Sequence, residues 1–164
     1  MAETFIRRHM VDLLPGGTVV MVATADKPHC GHWDVPCPVL VLDRIHGDYF
    51  GTVERFLTEH GVQVCLGECL DQSLPWLDVA ERLGIRFVGH AHGYDVSEPL
   101  LHRLRAGHLN YSRADGLITV SGVTRTCLIQ FGLEPAKVHV IPCRVDVPPE
   151  PGWRVDRDAV RCPP

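Results

Sequence analysis

The alternation of short apolar runs with amphipathic segments is the feature that most constrains this fold. Residues 18–23 and 39–42 are rich in β-branched or aliphatic side chains and show no polar alternation. Such runs are typical of strands covered on both faces in a parallel sheet. Because helical patterns separate most of the runs, the sequence predicts right-handed β-α-β units. The expected fold class is α/β, with a doubly wound, mostly parallel sheet.

The periodicity of apolar residues, together with capping residues and glycines at segment ends, predicts the individual strands and helices. Strands are predicted at 18–23, 39–42, 62–66, 85–89, 116–120 and 138–141. Helices are predicted at 3–14, 52–60, 73–83, 97–111 and from Ser121 to Gly132. A doubly wound domain normally begins with a central strand. Since a helix opens this chain, we expect that an opening strand is missing.

Length and the distribution of proline predict one domain with a short tail. The chain has 164 residues, and a domain commonly has about 100–200. We expect residues 1–147 to form the domain. Residues 148–164 contain five prolines and no periodicity, which predicts a linker or a frayed tail.

Composition excludes several classes of function. Sixteen basic residues stand against twenty acidic ones, which argues against nucleic acid or an anionic membrane as the main partner. No apolar run reaches the ~18–20 residues that span a bilayer, and the N-terminus lacks the features of a signal peptide. The odd count of seven cysteines, without a C-x-x-C pair, favours free thiols in a reducing compartment. We therefore expect a cytoplasmic protein, with peripheral membrane contact left open.

Polar residues gather where the predicted strands end, which is where functional groups collect in such sheets. His90, His92 and Asp95 follow one strand, with Gly93 allowing a tight turn, and Glu68 ends another. A single histidine there more often packs or caps, but two beside an aspartate also suit catalysis. Glu68 has the simpler interpretation of a helix cap or an arginine partner.

Ser121 stands at the start of a predicted helix. Its simplest role is an N-cap, whose side-chain oxygen accepts a backbone N–H. A helix N-terminus also favours anions, so holding a phosphate is the alternative role of Ser121. Both interpretations stay open.

A small metal hydrolase is one alternative. The H-x-H pattern of His90 and His92 is similar to metallo-β-lactamase-type zinc sites. That pattern needs an aspartate two residues after the second histidine and a third histidine next to it. Here Asp95 comes three residues later and no histidine follows. Further ligands such as His29 or His32 would have to converge in space.

Four segments resemble family 4 retaining glycosyltransferases. Residues 2–6 resemble the S-E-T-F-I opening of that family, and residues 87–95 resemble its H-G-x-D loop at a strand end. Residues 114–121 with Arg125 are similar to A-D-x-x-I-x-V-S-x-x-x-R, and residues 132–146 to G-x-x-x-x-K-v-x-V-I-P-x-G-V-D. Each motif alone is weakly specific, but all four occur in the family's order over residues 2–147.

The resemblance implies the N-terminal half of a GT-B architecture, a Rossmann-like domain on the acceptor side. It implies transfer of a sugar from a nucleotide-sugar donor to a glycan, lipid or small-molecule acceptor, with retention and without a metal or other cofactor. His92 would be the catalytic histidine that faces the transferred sugar. Substrate-binding residues on this basis are Glu68, His90, Gly93, Asp95, Ser121 and Arg125.

The chain departs from the family pattern in two further ways. The glycine of P-x-G-V-D is replaced by Arg144, and we expect the donor-binding domain of the family to be missing after residue 147. The resemblance therefore implies a truncated enzyme that needs a donor-binding domain in cis or in trans and is inactive alone. A stand-alone Rossmann-like binding domain without catalysis is the second alternative.

Overall fold

The computed structural model describes residues 21–25, 37–43, 48–97 and 109–143. The predicted helix at 3–14 and the tail at 148–164 lie outside these residues, as does most of the predicted helix at 97–111. His29, His32 and Arg144 are outside them too.

All strands of the described residues pair in parallel. Strands β1 (Met21–Ala25) and β2 (Val39–Asp43) form a two-stranded sheet. A four-stranded sheet contains β3, β4, β5 and β6 in chain order, with the bounds Val64–Glu68, Arg86–Ala91, Gly116–Thr119 and Val138–Val140. The α/β class with a parallel sheet is therefore as predicted, because continuous apolar runs suit strands that are buried on both faces.

Three α-helices connect or flank these strands, namely α1 (Tyr49–Glu59), α2 (Leu70–Leu83) and α3 (Gly122–Phe131). Helix α2 links β3 to β4, and α3 links β5 to β6. Short 3₁₀ turns lie at Tyr94–Val96, Asn110–Arg113 and Pro135–Lys137. No helix among the described residues is long and apolar enough to cross a membrane.

Local signals place α3 as predicted. The Ser121 side chain accepts the backbone N–H of Thr124, and Thr124 bonds back to the Ser121 N–H, which makes a capping box. Gly132 ends the helix at φ 116°, a left-handed conformation that favours glycine.

Helix α2 starts earlier than predicted. It begins at Leu70 rather than Ser73 and carries Pro75 inside. Cys69, at the N-cap position, has φ 63° and no side-chain capping bond. The cap comes instead from Asp95, whose carboxylate accepts the N–H of Leu70.

The core lies between α2, α3 and strands β4 and β5. Its largest buried side chains include Tyr111, Phe87, Leu70, Leu117 and Leu128. A second apolar cluster packs β2 against α1 and α2 through Leu42, Val53, Leu57 and Val79. All cysteines in the described part of the chain are free thiols, as expected: Cys37, Cys65, Cys69, Cys127 and Cys143.

Two glycines let the carboxyl ends of β3 and β4 pack closely. A Cβ on Gly67 would lie 2.4 Å from Cζ of Phe87 and 2.7 Å from Cβ of Ser73. A Cβ on Gly89 would lie 2.7 Å from Cδ2 of Leu117. All three distances are below van der Waals contact, so only glycine fits where these strands approach the candidate site.

Candidate functional site

Glu68, His90 and His92 form a cluster at the carboxyl ends of β3 and β4. Glu68 and His90 are register partners in the parallel ladder. His92 lies two residues beyond His90, so both imidazoles project to the same side of the sheet. The ring centroids are 4.1 Å apart. We call this cluster the Glu-His-His triad.

One carboxylate oxygen joins both rings of the triad. Oε2 of Glu68 lies 2.9 Å from Nδ1 of His90 and 2.7 Å from Nε2 of His92. A carboxylate only accepts hydrogen bonds, so each of these ring nitrogens donates its N–H. The side chains of His90, His92 and Glu68 are 5%, 9% and 18% exposed. The triad is therefore largely shielded from water, and its bonds are stronger than they would be on an open surface.

Asp95 fixes the loop that carries His92. Its Oδ1 accepts the backbone N–H of His92 at 2.8 Å, and its Oδ2 accepts the N–H of Leu70 at the same distance. The Asp95 side chain is fully buried. One carboxylate thus ties the loop after β4 to the first turn of α2, and this bond holds the backbone of His92 in place.

Gly93 supplies the turn after His92. Its φ of 90° lies in the left-handed region, where any other residue is strained. An added Cβ there would meet nothing within 4 Å. The backbone conformation, rather than crowding by neighbouring atoms, therefore explains the glycine.

Tyr111 supports the first turn of α2, next to the triad. The sequence pattern did not identify this residue as part of the site. Its buried hydroxyl donates to the carbonyl of Leu70 at 2.6 Å and lies 2.9 Å from Oγ of Ser73. Burial raises the pKa of Tyr111, so the hydroxyl stays protonated and keeps this role. The sequence holds no local signal for it, because the contact spans about forty residues.

Cys69 lies between Glu68 and α2. Burial raises the pKa of its thiol, and the neighbouring carboxylates of Asp95 and Asp71 add to the effect. The thiol is therefore protonated near neutral pH, and Cys69 is a poor nucleophile there.

Ser121 follows a different strand, β5, as the N-cap of α3, and Arg125 lies within α3. Ser121 caps α3 through Thr124. The Arg125 guanidinium donates to the carbonyls of Val138 at 2.9 Å and Pro135 at 3.1 Å. The side chains of Ser121 and Arg125 bond within the segment from Ser121 to Val138, and no hydrogen bond seen in the described part of the chain joins them to the triad. Their predicted contact with substrate stays a prediction.

The triad also meets the geometric conditions for holding a cation. One ligand atom from each of Glu68, His90 and His92 lies within 4.8 Å of the others. The metal pattern considered from sequence relied on Asp95, whose two oxygens accept backbone N–H groups instead. Glu68 takes the third position. The sequence feature that could have identified Glu68 as the third ligand is its position at the end of the neighbouring predicted strand.

Comparison with solved structures identifies a protein of similar fold. The crystal structure of Anabaena Alr3699/HepE in complex with UDP and glucose matches with a TM-score of 0.55 at 17% identity. The match covers 79% of this chain and 45% of that protein, so the chain spans less than half the length of this neighbour. Among curated protein sequences, none matches this chain.

The structural match and a match to a family model agree. The fold is a Rossmann-like α/β domain that corresponds to one half of a GT-B architecture, as predicted. The model of Glycosyltransferase Family 4 matches residues 18–147, which is most of the chain. That range contains the triad, Asp95, Ser121 and Arg125. This chain belongs to glycosyltransferase family 4.

Proposed function

We propose that this chain is the acceptor-side domain of an enzyme that transfers a sugar from a nucleotide-sugar donor to an acceptor, with retention of anomeric configuration. The family match over residues 18–147 carries the proposal. The domain comprises residues 1–147 and acts in the cytoplasm. The acceptor is a glycan, a lipid or a small molecule, and transfer needs no metal.

His92 is the catalytic residue of this proposal. Glycosyl transfer passes through an oxocarbenium-like transition state, which preorganised polar groups stabilise. The 2.7 Å bond to Glu68 and the bond from its backbone to Asp95 hold His92 in one orientation. A Cβ at Gly93 would meet nothing within 4 Å, which supports approach of the sugar on this side of the loop. His90 shares the Glu68 oxygen and keeps that carboxylate turned toward the loop.

A donor-binding domain, in cis or in trans, completes the enzyme. The chain spans 45% of the HepE structure, which was solved with UDP and glucose. That complex supports a nucleotide-sugar as the donor class. Ser121 and Arg125 would contribute to substrate binding at the N-terminal end of α3. The domain alone lacks a partner that activates the nucleotide, so we expect it to transfer no sugar by itself.

The test joins this chain to a donor-binding half from a family 4 enzyme and assays a panel of nucleotide-sugars. We expect transfer by the joined protein, none by the chain alone, and a product whose anomeric configuration matches the donor by NMR. His92→Ala should lower kcat by about 100-fold or more, as removal of a transition-state contact does. His139→Ala is the matched control, because His139 is exposed on β6 and should keep full activity.

Two results would contradict the proposal. Transfer at an undiminished rate by the His92→Ala protein would remove this residue from catalysis. In the second result, the joined proteins fold and bind the nucleotide-sugar but transfer no sugar with any donor half. That result would identify this chain as a binding domain without catalysis.

A further inference from the structure

We infer that Glu68, His90 and His92 together bind one divalent transition-metal ion, for which Zn²⁺ is the best match. The inference goes beyond the proposed transfer, which uses no metal. The metal-bound triad and the hydrogen-bonded triad are two states of the same side chains. Binding experiments on the chain therefore address this site whether or not the proposed transfer is correct.

The two distances from Glu68 are close to those of a tetrahedral site, and the two histidine nitrogens lie within 4.8 Å of each other. Zinc binds histidine nitrogen and carboxylate oxygen at about 2.0–2.2 Å, which places tetrahedral ligands about 3.3 Å apart. Oε2 of Glu68 is 2.9 Å from Nδ1 of His90 and 2.7 Å from Nε2 of His92. An opening of about half an ångström converts the hydrogen-bonded cluster into a ligand set.

The backbone places the three ligands before any metal arrives. Glu68 and His90 are fixed as register partners on adjacent strands. The backbone N–H of His92 is held by the buried carboxylate of Asp95. Sites built on rigid elements with such support lose little conformational entropy when they bind.

The donor set selects the class of metal. Two imidazoles with one carboxylate form the His₂Glu set that binds zinc in several enzymes, with a fourth position left for water or another ligand. Imidazole favours Zn²⁺, Co²⁺ and Ni²⁺, whereas Mg²⁺ and Ca²⁺ prefer oxygen ligands. Binding requires that the protons on Nδ1 of His90 and Nε2 of His92 leave those atoms, to the other ring nitrogen or to solvent. The Glu68 carboxylate compensates one of the two charges of the ion.

The first experiment titrates the metal-free chain with Co²⁺, followed by visible absorption, and with Zn²⁺, followed by calorimetry. We expect one ion per chain, with d–d bands typical of nitrogen and oxygen ligands. Glu68→Gln and His92→Ala should each weaken binding by about tenfold or more. Mg²⁺ should not compete.

Two controls separate the triad from other donors in the chain. His139→Ala removes an exposed histidine on β6, and Cys69→Ser removes the thiol next to Glu68. Both should bind Co²⁺ as the unchanged chain does. A thiolate charge-transfer band, or loss of binding in Cys69→Ser alone, would overturn the assignment.

A readout on the unchanged protein avoids dependence on folding of the variants. Two-dimensional NMR of the imidazole nitrogens should show Nδ1 of His90 and Nε2 of His92 shifting on addition of one equivalent of Zn²⁺. Unchanged resonances for these rings at saturating Zn²⁺ would overturn the inference. Binding that stays within threefold in both Glu68→Gln and His92→Ala would do the same.

Discussion

The carboxylate of Asp95 caps helix α2 by accepting the N–H of Leu70 at 2.8 Å, across 25 residues of sequence. Helix caps normally come from the residue just before the helix, and Cys69 in that position makes no side-chain cap. Because the other oxygen of Asp95 binds the N–H of His92, the start of α2 and the position of the catalytic candidate depend on one buried side chain.

We expect Asp95→Asn to lower the free energy of unfolding by about 3 kcal/mol. An amide offers one acceptor where the carboxylate offers two, so a buried N–H of Leu70 or His92 loses its charge-assisted bond. Chemical denaturation measures the change. Asp78→Asn is the matched control, because Asp78 is exposed and its ion pair with Arg113 contributes about 0–1 kcal/mol. Equal effects of the two substitutions would contradict the capping role.

Gly67→Ala should destabilise the domain by about 1–3 kcal/mol, the usual cost of overpacking a core. The new Cβ would lie 2.4 Å from the Phe87 ring and 2.7 Å from Ser73, so one of these buried groups has to move. Gly122→Ala places the same methyl group where nothing lies within 4 Å, and its effect should stay within about 0.5 kcal/mol. Thermal melting of both variants checks this. A Gly67→Ala protein as stable as Gly122→Ala would show that β3 can shift freely.

Arg125→Ala should lower stability by about 1–2 kcal/mol, because the guanidinium donates to the carbonyls of Val138 and Pro135. Arg125→Lys keeps the charge but lacks the planar fork that reaches the two carbonyls from separate nitrogens, Nε and Nη2. We therefore expect it to recover little of the loss. The opposite outcome is that Arg125→Ala leaves stability unchanged and raises the KM for the nucleotide-sugar in the joined enzyme. That outcome would favour direct contact between Arg125 and the substrate.

The stability of the domain should fall as the pH rises from about 9 to 11, in part through Cys65. Burial raises the pKa of this thiol from 9.0 to about 11. In that range the unfolded chain has released the proton and the folded chain has kept it, so each step in pH favours unfolding. The contribution of the protonated Cys65 thiol to the free energy of unfolding is fully present below pH 9 and amounts to roughly 2 kcal/mol.

The comparison with Cys65→Ala isolates this contribution, since other groups titrate in the same range. Denaturation at pH 8, about 9.5 and about 11 should give a shallower decline for Cys65→Ala than for the unchanged chain. Cys143→Ala, which alters an exposed cysteine, should decline as the unchanged chain does. Parallel curves for Cys65→Ala and the unchanged chain would refute the shift.

The sequence by itself determined the features that depend on neighbouring residues. Continuous apolar runs predicted parallel strands, and Ser121 with Gly132 marked both ends of α3. The motifs in residues 87–95, 114–121 and 132–146 pointed to the family that the match over 18–147 confirms. These signals are local, because a cap, a left-handed turn or an apolar period acts within about one turn of helix or one strand.

Only the tertiary structure decided which distant groups meet. The start of α2 at Leu70 follows from Asp95, and the third member of the triad is Glu68 rather than Asp95. Both outcomes depend on the register between β3 and β4, which pairs Glu68 with His90. Register is set by packing across the whole sheet, so no pattern within a single segment contains it.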